Sequence, residues 1–130
     1  MKGSVGQIAG YAMSGLVVAF MLFDGIIKLI PMDVVIKTQA ELGYPTSPGM
    51  ARFIGMIGLT STLLYAFPRT SLLGAILMTG YLGGAITTHL RVGNPLFTHI
   101  LFGAYIGLIA WGGLYLRDPQ LRALLPLRLQ

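Results

Sequence analysis

The sequence predicts an all-α membrane protein, a single-domain bundle of four antiparallel transmembrane helices. Of its 130 residues, 55% are hydrophobic and only 10% are charged, whereas soluble domains carry about 25% charged residues. So few charges cannot cover the surface of a water-soluble domain, and the lipid bilayer is therefore the expected surrounding. Four apolar segments, each close to the ~20 residues that cross a hydrocarbon core, are separated by turn signals.

The composition also excludes several classes of function. The chain has no cysteine, which rules out disulfides, thiolate nucleophiles and Cys-ligated iron–sulfur or zinc sites. The net charge is +5, but the basic residues are scattered between apolar segments and form no stripe with interleaved aromatics. Nucleic acid is therefore not an expected partner, and contact with anionic lipid head groups explains the charge better.

The first apolar segment, about residues 10–30, is predicted to be a retained transmembrane helix. It is too long for the apolar region of a signal peptide, contains Asp24 and lacks an A-x-A cleavage pattern. At ~1.5 Å per residue it spans roughly 31 Å, which matches a hydrocarbon core of ~30 Å. Residues 31–49 follow as a connection that includes a short amphipathic helix between Pro31 and Gly43. This helix is either a lid over the bundle or a linker on the head groups.

Three further spans are predicted, and short turns make them antiparallel neighbours. Residues 117–130 form a tail that we expect on the membrane surface. Four spans place both termini on one side, and a count of five basic residues against four favours cytoplasmic termini. The three spans are about residues 50–67, 71–90 and 96–116. The five basic residues on the side of the termini are Lys2, Arg69, Arg117, Arg122 and Arg128. The four on the opposite side are Lys28, Lys37, Arg52 and Arg91.

Glycine and aromatic residues predict how the helices pack and where they meet the membrane surface. Three glycine pairs have the G-x-x-x-G spacing of closely packed membrane helices, either within the bundle or in a dimer. Aromatic residues toward the termini are interpreted as an interfacial belt, and those near the opposite end as packing or a second belt rather than a cofactor site. The pairs are Gly6/Gly10, Gly80/Gly84 and Gly103/Gly107; the belt is Tyr11, Tyr65, Trp111 and Tyr115, and the packing group includes Phe20, Tyr81 and Phe102.

Polar residues gather at one end of the predicted bundle, the end opposite the termini. Alternating helix direction brings together the ends of the first and third spans and the starts of the second and fourth. Charges within a span cost ~2.5–3.5 kcal/mol on insertion scales and are therefore functional candidates. The other end offers mainly Arg69, the basic tail and Asp118. The candidates are Asp24 and His89 for catalysis, and Lys28, Arg52, Thr88, Arg91 and His99 for ligand binding.

Structural alternatives exist for several of these candidates. Asp24 and Lys28 lie four residues apart on one helical face, so they can form a helix-end pair with the lysine reaching the head groups. His89 can donate a hydrogen bond to a carbonyl at its helix end. Arg91 can anchor its helix to the head groups.

The residue types at this end favour some reactions over others. No serine lies there to complete a Ser/His/Asp triad, and no H-x-x-x-H or E-x-x-H spacing supports a metal site. His89 and His99 flank one tight turn, which disfavours a haem between them. An Asp–His pair fits proton transfer on a lipophilic molecule such as a quinone or an isoprenoid, with Arg52 or Arg91 holding its carbonyl or anionic group. A quinone is the candidate cofactor, and none is expected to be covalently bound.

Five stretches carry a family resemblance, and they extend over nearly the whole chain. The stretches are FDGIIKL (23–29), ELGYP (41–45), PRTSLLGAIL (68–77), YLGGAITTHLRVGNPLF (81–97) and LYLRDPQLRALLP (114–126). Together they resemble the DoxX-like family of small bacterial four-helix membrane proteins. By position, the residues that match the family pattern are Asp24, Lys28, His89 and Arg91. Many relatives have a glutamate at the position of Gly58, and this chain departs from that pattern.

The resemblance implies a four-helix bundle in the bacterial inner membrane. It also implies association with membrane redox complexes, because the family is named from a subunit associated with thiosulfate:quinone oxidoreductase. Three functions follow as expectations: a quinone- or lipid-binding subunit of an oxidoreductase, a self-sufficient isomerase or hydrolase with an apolar substrate, or a non-catalytic scaffold. The expected partners are the bilayer, a lipophilic small molecule, and a redox subunit, another membrane subunit or a second copy of the chain.

Overall fold

The structure is a computed structural model. Helices make up 85% of it, and the part of the chain that it describes contains no strand. The described residues are 4–30 and 32–128, so Lys2 and Pro31, used above for the charge count and the start of the short helix, lie outside them. The all-α class is confirmed. The helices are α1 (Val5–Leu29), α2 (Asp33–Leu42), α3 (Pro48–Ala66), α4 (Ser71–Arg91), α5 (Phe102–Arg117) and α6 (Pro119–Leu124).

The four long helices form a ring in the order α1, α3, α4, α5. Helix α1 packs against α3 and α5, and α4 packs against the same two helices. The short helix α2 lies against α3, and α6 lies against α5. The centre of the ring is apolar and includes Val17, Met21, Ala75, Met78, Leu82, Ile106, Ala110 and Leu114.

Three helical stretches among the described residues are long and apolar enough to cross a membrane. They are Val5–Leu29, Pro68–Arg91 and Leu96–Arg117. The protein is therefore of the multi-pass membrane type. Helix α3 is not in this set, because Arg52 and several hydroxyl side chains lower its hydropathy. Length and hydropathy alone thus do not reproduce the predicted count of four spans.

Local signals explain where the helices around the site begin and end. Ser47 accepts a hydrogen bond from the Met50 amide (3.2 Å) and caps α3, whose first residue is Pro48. Gly43 ends α2 with a positive φ of 82°, a conformation that glycine adopts without steric cost. A wide π-type turn, Leu96–Ile100, precedes α5, so α5 begins at Phe102 and not at about residue 96, where the fourth span was predicted to begin.

Close helix contacts involve Gly10 and Gly103 from the predicted pairs, and also glycines outside those pairs. A Cβ on Gly74 of α4 would collide with the backbone of Tyr65 in α3. At the α1–α5 contact, a Cβ on Gly10 would lie 2.8 Å from the Gly113 carbonyl oxygen. The prediction of a close contact within the bundle at Gly80 and Gly84 is wrong, because nothing lies within 4 Å of a Cβ at either position. A contact of this pair in a dimer stays a prediction.

A second polar cluster lies at the end of the bundle that holds the termini. Tyr65 is fully buried, and its hydroxyl donates to the Ala110 carbonyl (2.6 Å) and accepts from Ser14 (2.8 Å). Arg117 Nε donates to Ser14 Oγ (3.0 Å), and the guanidinium lies over the rings of Tyr65 and Tyr11. The prediction that polar groups gather at one end only is therefore wrong, as is the assignment of Tyr65 to an interfacial belt.

Candidate functional site

Three polar side chains form a closed cluster between α1 and α4. Lys28 Nζ donates to Asp24 Oδ2 (2.7 Å) and to the Tyr81 hydroxyl (2.9 Å). The Tyr81 hydroxyl in turn donates to Asp24 Oδ2 (3.3 Å). Each group therefore contacts the other two. Within the described part of the chain, the second carboxylate oxygen, Asp24 Oδ1, has no hydrogen-bond partner.

The position of the Tyr81 ring depends on a glycine of α3. A Cβ on Gly58 would lie 3.2 Å from Tyr81 Cζ and 3.3 Å from its hydroxyl oxygen, closer than ordinary van der Waals contact. The missing side chain leaves room for the phenol to reach Lys28. Gly58 is the position at which the resemblance implies a glutamate in many relatives, so this chain places a tyrosine hydroxyl from α4 beside that position.

A cavity of about 580 Å³ opens beside this cluster, between α3 and α4 and beneath α2. Its volume lies within the ~300–1,000 Å³ that small-molecule sites occupy. Most of its lining is apolar, and polar side chains reach it from α1, α2, the loop after α2 and α4. The apolar lining includes Ile27, Val34, Val35, Leu42, Ile54, Ile57, Gly80, Gly84 and Ala85, and the polar lining comprises Asp24, Lys28, Thr38, Gln39, Tyr44, Tyr81, Thr88 and His89.

Helix α2 covers this first cavity and is attached to α4 by two polar contacts. Arg91 Nη2 donates to the Leu42 carbonyl (2.8 Å) at the C-terminus of α2, where a cation is favourable. The Thr88 hydroxyl donates to the Gly84 carbonyl (2.8 Å), so the Tyr44 hydroxyl is the donor in its 3.0 Å contact with Thr88. The chain on both sides of Gly43 is thereby fixed to the end of α4.

Removal of the Arg91 side chain is expected to loosen α2. In Arg91→Ala, amide hydrogens of α2 should exchange about fivefold faster, because a charge-assisted hydrogen bond to its last turn is lost. Hydrogen exchange of the full chain in nanodiscs measures this. Arg69→Ala, at the other end of the bundle, is the matched control and should leave α2 unchanged. Equal exchange in both variants would show that Arg91 does not hold the helix.

Gln39 lines the first cavity from α2 and has an unsatisfied oxygen. The residue is 5% exposed, and its Nε2 donates to the Pro45 carbonyl (2.6 Å). The carbonyl acceptor fixes the orientation of the amide, so Nε2 faces the loop. The other amide atom, Oε1, is buried and has no partner among the described residues. Buried acceptors without a donor are rare in folded proteins.

A second cavity of about 350 Å³ lies on the opposite side of the cluster, between α1, α4 and the start of α5. The two histidines line it, with ring centroids 5.7 Å apart. The Asn94 amide contacts His89 Nδ1 (2.7 Å), and Thr98 contacts His99 Nδ1 (2.8 Å). Five residues line both cavities and so lie between them: Asp24, Lys28, Tyr81, Ala85 and His89.

The structure brings together five of the seven predicted site residues. Asp24, Lys28, Thr88 and His89 line the first cavity, and His99 lines only the second. Arg52 and Arg91 line neither cavity. Arg52 Nε donates to the Leu29 carbonyl (3.3 Å) at the end of α1, and Arg91 caps α2. The structure therefore places both arginines against backbone carbonyls rather than at the cavity.

Tyr81 and Gln39 belong to the site but were not among the predicted residues. Tyr81, Ala85 and Thr88 follow the spacing i, i+4, i+7 on α4 and so share one helical face. That spacing was available in the sequence and could have placed Tyr81 beside Thr88. No comparable signal exists for Gln39, because its burial depends on how α2 folds back onto the bundle.

These features define a helical membrane protein with an apolar cavity that ends on a charged and hydrogen-bonding cluster. The sequence model of the DoxX-like family matches residues 12–113. The chain therefore belongs to the DoxX-like family, which confirms the resemblance. No curated protein and no solved structure shows significant similarity to the chain.

Proposed function

We propose that the protein binds a quinone, or another lipophilic molecule with an oxygen-bearing head group, in the first cavity. The observation that carries this proposal is the lining of that cavity, which is mostly apolar but includes a charged and hydrogen-bonding cluster. Apolar walls favour a hydrocarbon tail, whereas the Asp24–Lys28–Tyr81 cluster and His89 lie where a polar head group needs partners.

Hydrogen-bond donors are available for the head group. Lys28 has three N–H donors and uses two of them within the cluster. With the Asn94 amide donating to His89 Nδ1, the neutral imidazole carries its proton on Nε2 and can donate from there. A quinone carbonyl accepts such bonds. The tail would extend along Ile54 and Ile57 of α3.

The proposal extends to the membrane arrangement. We propose four spans, with α3 as the fourth, and cytoplasmic termini in the bacterial inner membrane. At ~1.5 Å per residue, the 19 residues of α3 span roughly 28 Å. Its polar side chains include Thr60, Ser61 and Thr62, and their hydroxyls donate to carbonyls of the same helix, which lowers the cost of placing them in lipid.

Within this proposal the protein is a subunit or accessory of a membrane oxidoreductase. A chain without cysteine offers no thiolate ligands for an iron–sulfur cluster, so electrons would reach the quinone through a partner protein. The role of this chain is then to bind and position the quinone. Partner capture with the intact protein tests the assignment, and a redox subunit is the expected result.

Loss of the Tyr81 hydroxyl is expected to weaken quinone binding. The full chain in nanodiscs should bind decylubiquinone saturably, and Tyr81→Phe should lower the affinity about tenfold, because Lys28 and Asp24 lose the group that orders them. Native mass spectrometry and titration against protein-free nanodiscs measure this.

The matched control for this measurement is Tyr105→Phe. The Tyr105 hydroxyl donates to the Phe97 carbonyl (3.0 Å) and lies outside both cavities. That variant should bind as the unchanged protein does. Absence of saturable binding in the unchanged protein would overturn the proposed function. An equal loss of decylubiquinone affinity in both variants would show that the Tyr81 hydroxyl has no specific role in binding.

One observation favours an alternative, acid–base catalysis on an apolar substrate. Asp24 Oδ1 has no hydrogen-bond partner in the described residues and belongs to a carboxylate that lines the cavity. A carboxylate in this position can take a proton from the carbon next to a carbonyl group of an apolar substrate, with the electron pair moving onto the carbonyl oxygen, and return the proton at another carbon, which moves a double bond without a cofactor. In this case Asp24→Asn should abolish turnover and leave the fold intact, and retained turnover would exclude the mechanism.

A further inference from the structure

We propose that the groove between α5 and α6 binds an anionic phospholipid, with an acyl chain along α5 and the phosphate on Arg122. The groove lies at the end of the bundle that holds the termini, away from the first cavity, so this site does not depend on the proposed function. It is argued from the apolar groove, from a guanidinium with unused donors at the end of that groove, and from the shortage of carboxylates around it.

The groove has a volume of about 470 Å³ and a lining of leucine, glycine and aromatic residues. Its α5 residues follow the spacing i, i+3, i+4, i+7 and i+8, which marks one helical face. From Leu108 to Leu116 this face extends ~12 Å along a helix of membrane-spanning type, a direction that suits a hydrocarbon chain. The lining comprises Leu108, Trp111, Gly112, Tyr115 and Leu116 of α5, Leu121 of α6, and Leu125.

Helix α6 is fixed against the end of α5, so the groove is formed before a lipid binds. Leu121 is buried, and the Tyr115 hydroxyl donates to the Leu125 carbonyl (3.3 Å) just beyond α6. Arg122 Nη1 donates to the carbonyls of Tyr115 (2.6 Å) and Leu116 (2.9 Å) in the last turn of α5, where a cation is favourable. A site that is already ordered loses less entropy when it binds its ligand.

Arg122 has hydrogen-bond donors to spare for a phosphate. A guanidinium carries five N–H donors, and Arg122 uses only those of Nη1. Nε and Nη2 form the other edge of the planar group and have no acceptor in the described part of the chain. Such an edge can hold two oxygens of one phosphate. Arg122 is exposed, and both carbonyls that hold it belong to residues of the groove, so a phosphate on this edge lies at the groove's end.

The charges around the groove favour an anionic lipid over a zwitterionic one. Of the four acidic residues in the sequence, all within the described part of the chain, three lie in the second half of α1 or in α2, at the opposite end. Asp118 is the fourth, and it accepts a hydrogen bond from the Gln120 amide at the start of α6 (3.0 Å). A choline head group therefore meets a net positive end, which also includes Arg69 and Arg117. A partner helix would cover the apolar face but leave the Nε–Nη2 edge without an anion.

Native mass spectrometry of the full chain, titrated with lipid in detergent micelles, tests the site. Dioleoylphosphatidylglycerol and dioleoylphosphatidylcholine share chains and phosphate, but choline cancels the net charge of the second lipid. We expect phosphatidylglycerol to bind saturably and about fivefold more tightly than phosphatidylcholine. Glycerol phosphate, which has the phosphate but no acyl chain, should not displace the bound lipid at equal concentration.

One pair of variants tests the phosphate contact. Arg122→Gln should remove most of the preference for phosphatidylglycerol, because the charged edge is lost. Arg69→Gln makes the same change of charge at the same end, at an exposed residue that does not line the groove, and should keep the preference. Binding of phosphatidylcholine should change little in either variant.

A second pair of variants tests the acyl-chain contact. Gly112→Leu places a side chain in the groove, and the nearest atom to its Cβ is Met13 Cε at 2.9 Å, the end of a flexible side chain that can move. Affinity for both lipids should fall at least about fivefold. Gly15→Leu is the control, because nothing lies within 4 Å of a Cβ there and Gly15 does not line the groove.

Several outcomes would overturn the proposal. Equal affinity for the two lipids, or the same loss of preference in Arg122→Gln and Arg69→Gln, would mean that no specific phosphate site exists. Displacement by glycerol phosphate, or unchanged lipid binding in a folded Gly112→Leu protein, would show that the groove holds no acyl chain. A dimer that Gly112→Leu converts to monomers would make the groove an interface between copies of the chain. None of these results bears on ligand binding in the first cavity.

Discussion

Replacement of Gly74 by alanine is expected to destabilise the folded protein by about 3 kcal/mol. An added Cβ would overlap the backbone nitrogen and Cα of Tyr65 and lie 2.6 Å from the Leu64 carbonyl carbon. These are backbone atoms of α3, so no side-chain rotation can relieve the overlap and α3 and α4 must separate. Because Tyr65 also bonds Ser14 and the Ala110 carbonyl, the separation would disturb the contacts with α1 and α5. Reversible unfolding in mixed micelles measures the loss.

Gly83→Ala is the matched control for this substitution. Gly83 lies on the same helix, and nothing lies within 4 Å of a Cβ built there. Alanine is favoured over glycine inside a helix by about 0.5–1 kcal/mol, so this variant should be as stable as the unchanged protein or more stable. If both variants had the same stability, the close contact between α3 and α4 would not be part of the folded protein.

Gly84→Leu is expected to reduce ligand affinity about 100-fold without unfolding the protein. Gly84 lines the first cavity, and a Cβ there has no neighbour within 4 Å, so a leucine side chain can extend into the space that the ligand needs. Forcing a ligand into a filled site costs about 1–3 kcal/mol, and each 1.4 kcal/mol is tenfold in affinity. Decylubiquinone or decylubiquinol binding in nanodiscs measures the effect.

The control is again Gly83, which lines neither of the two cavities next to the cluster. Gly83→Leu makes the same chemical change one residue earlier and should leave affinity unchanged. Far-ultraviolet circular dichroism should show equal helix content in both variants. A Gly84→Leu protein that is folded and binds as tightly as Gly83→Leu would place the ligand outside this cavity.

Several elements of this fold were predictable because their signals are local. Apolar segments of membrane-spanning length, separated by prolines and glycines, predicted the long helices, and Gly43 predicted the end of the short one. Asp24 and Lys28 were identified because two charges in an apolar helix are unusual and their spacing of four residues places them on one face. Neither inference required knowledge of how the helices pack against one another.

The parts that could not be predicted depend on the rotation and order of the helices. Gly80 and Gly84 have the spacing of a packing motif, but their face of α4 points into a cavity, whereas Gly74 packs against α3. Arg52 and Arg91 lie at the predicted end of the bundle, but each donates a hydrogen bond to a backbone carbonyl at a helix terminus and does not line the cavity. Which partner a long cationic side chain selects depends on carbonyls far away in sequence.

The wall between the two cavities is only one layer of side chains thick. Tyr81 is one of the five residues in this wall, and its phenol is held by Lys28 and Asp24 and accommodated by the absence of a side chain at Gly58. The Tyr81 ring is therefore part of the partition between the cavity beside the α3–α4 groove and the cavity at the start of α5. If the proposed function is correct, this partition limits how far a ligand can extend from the first cavity toward α5.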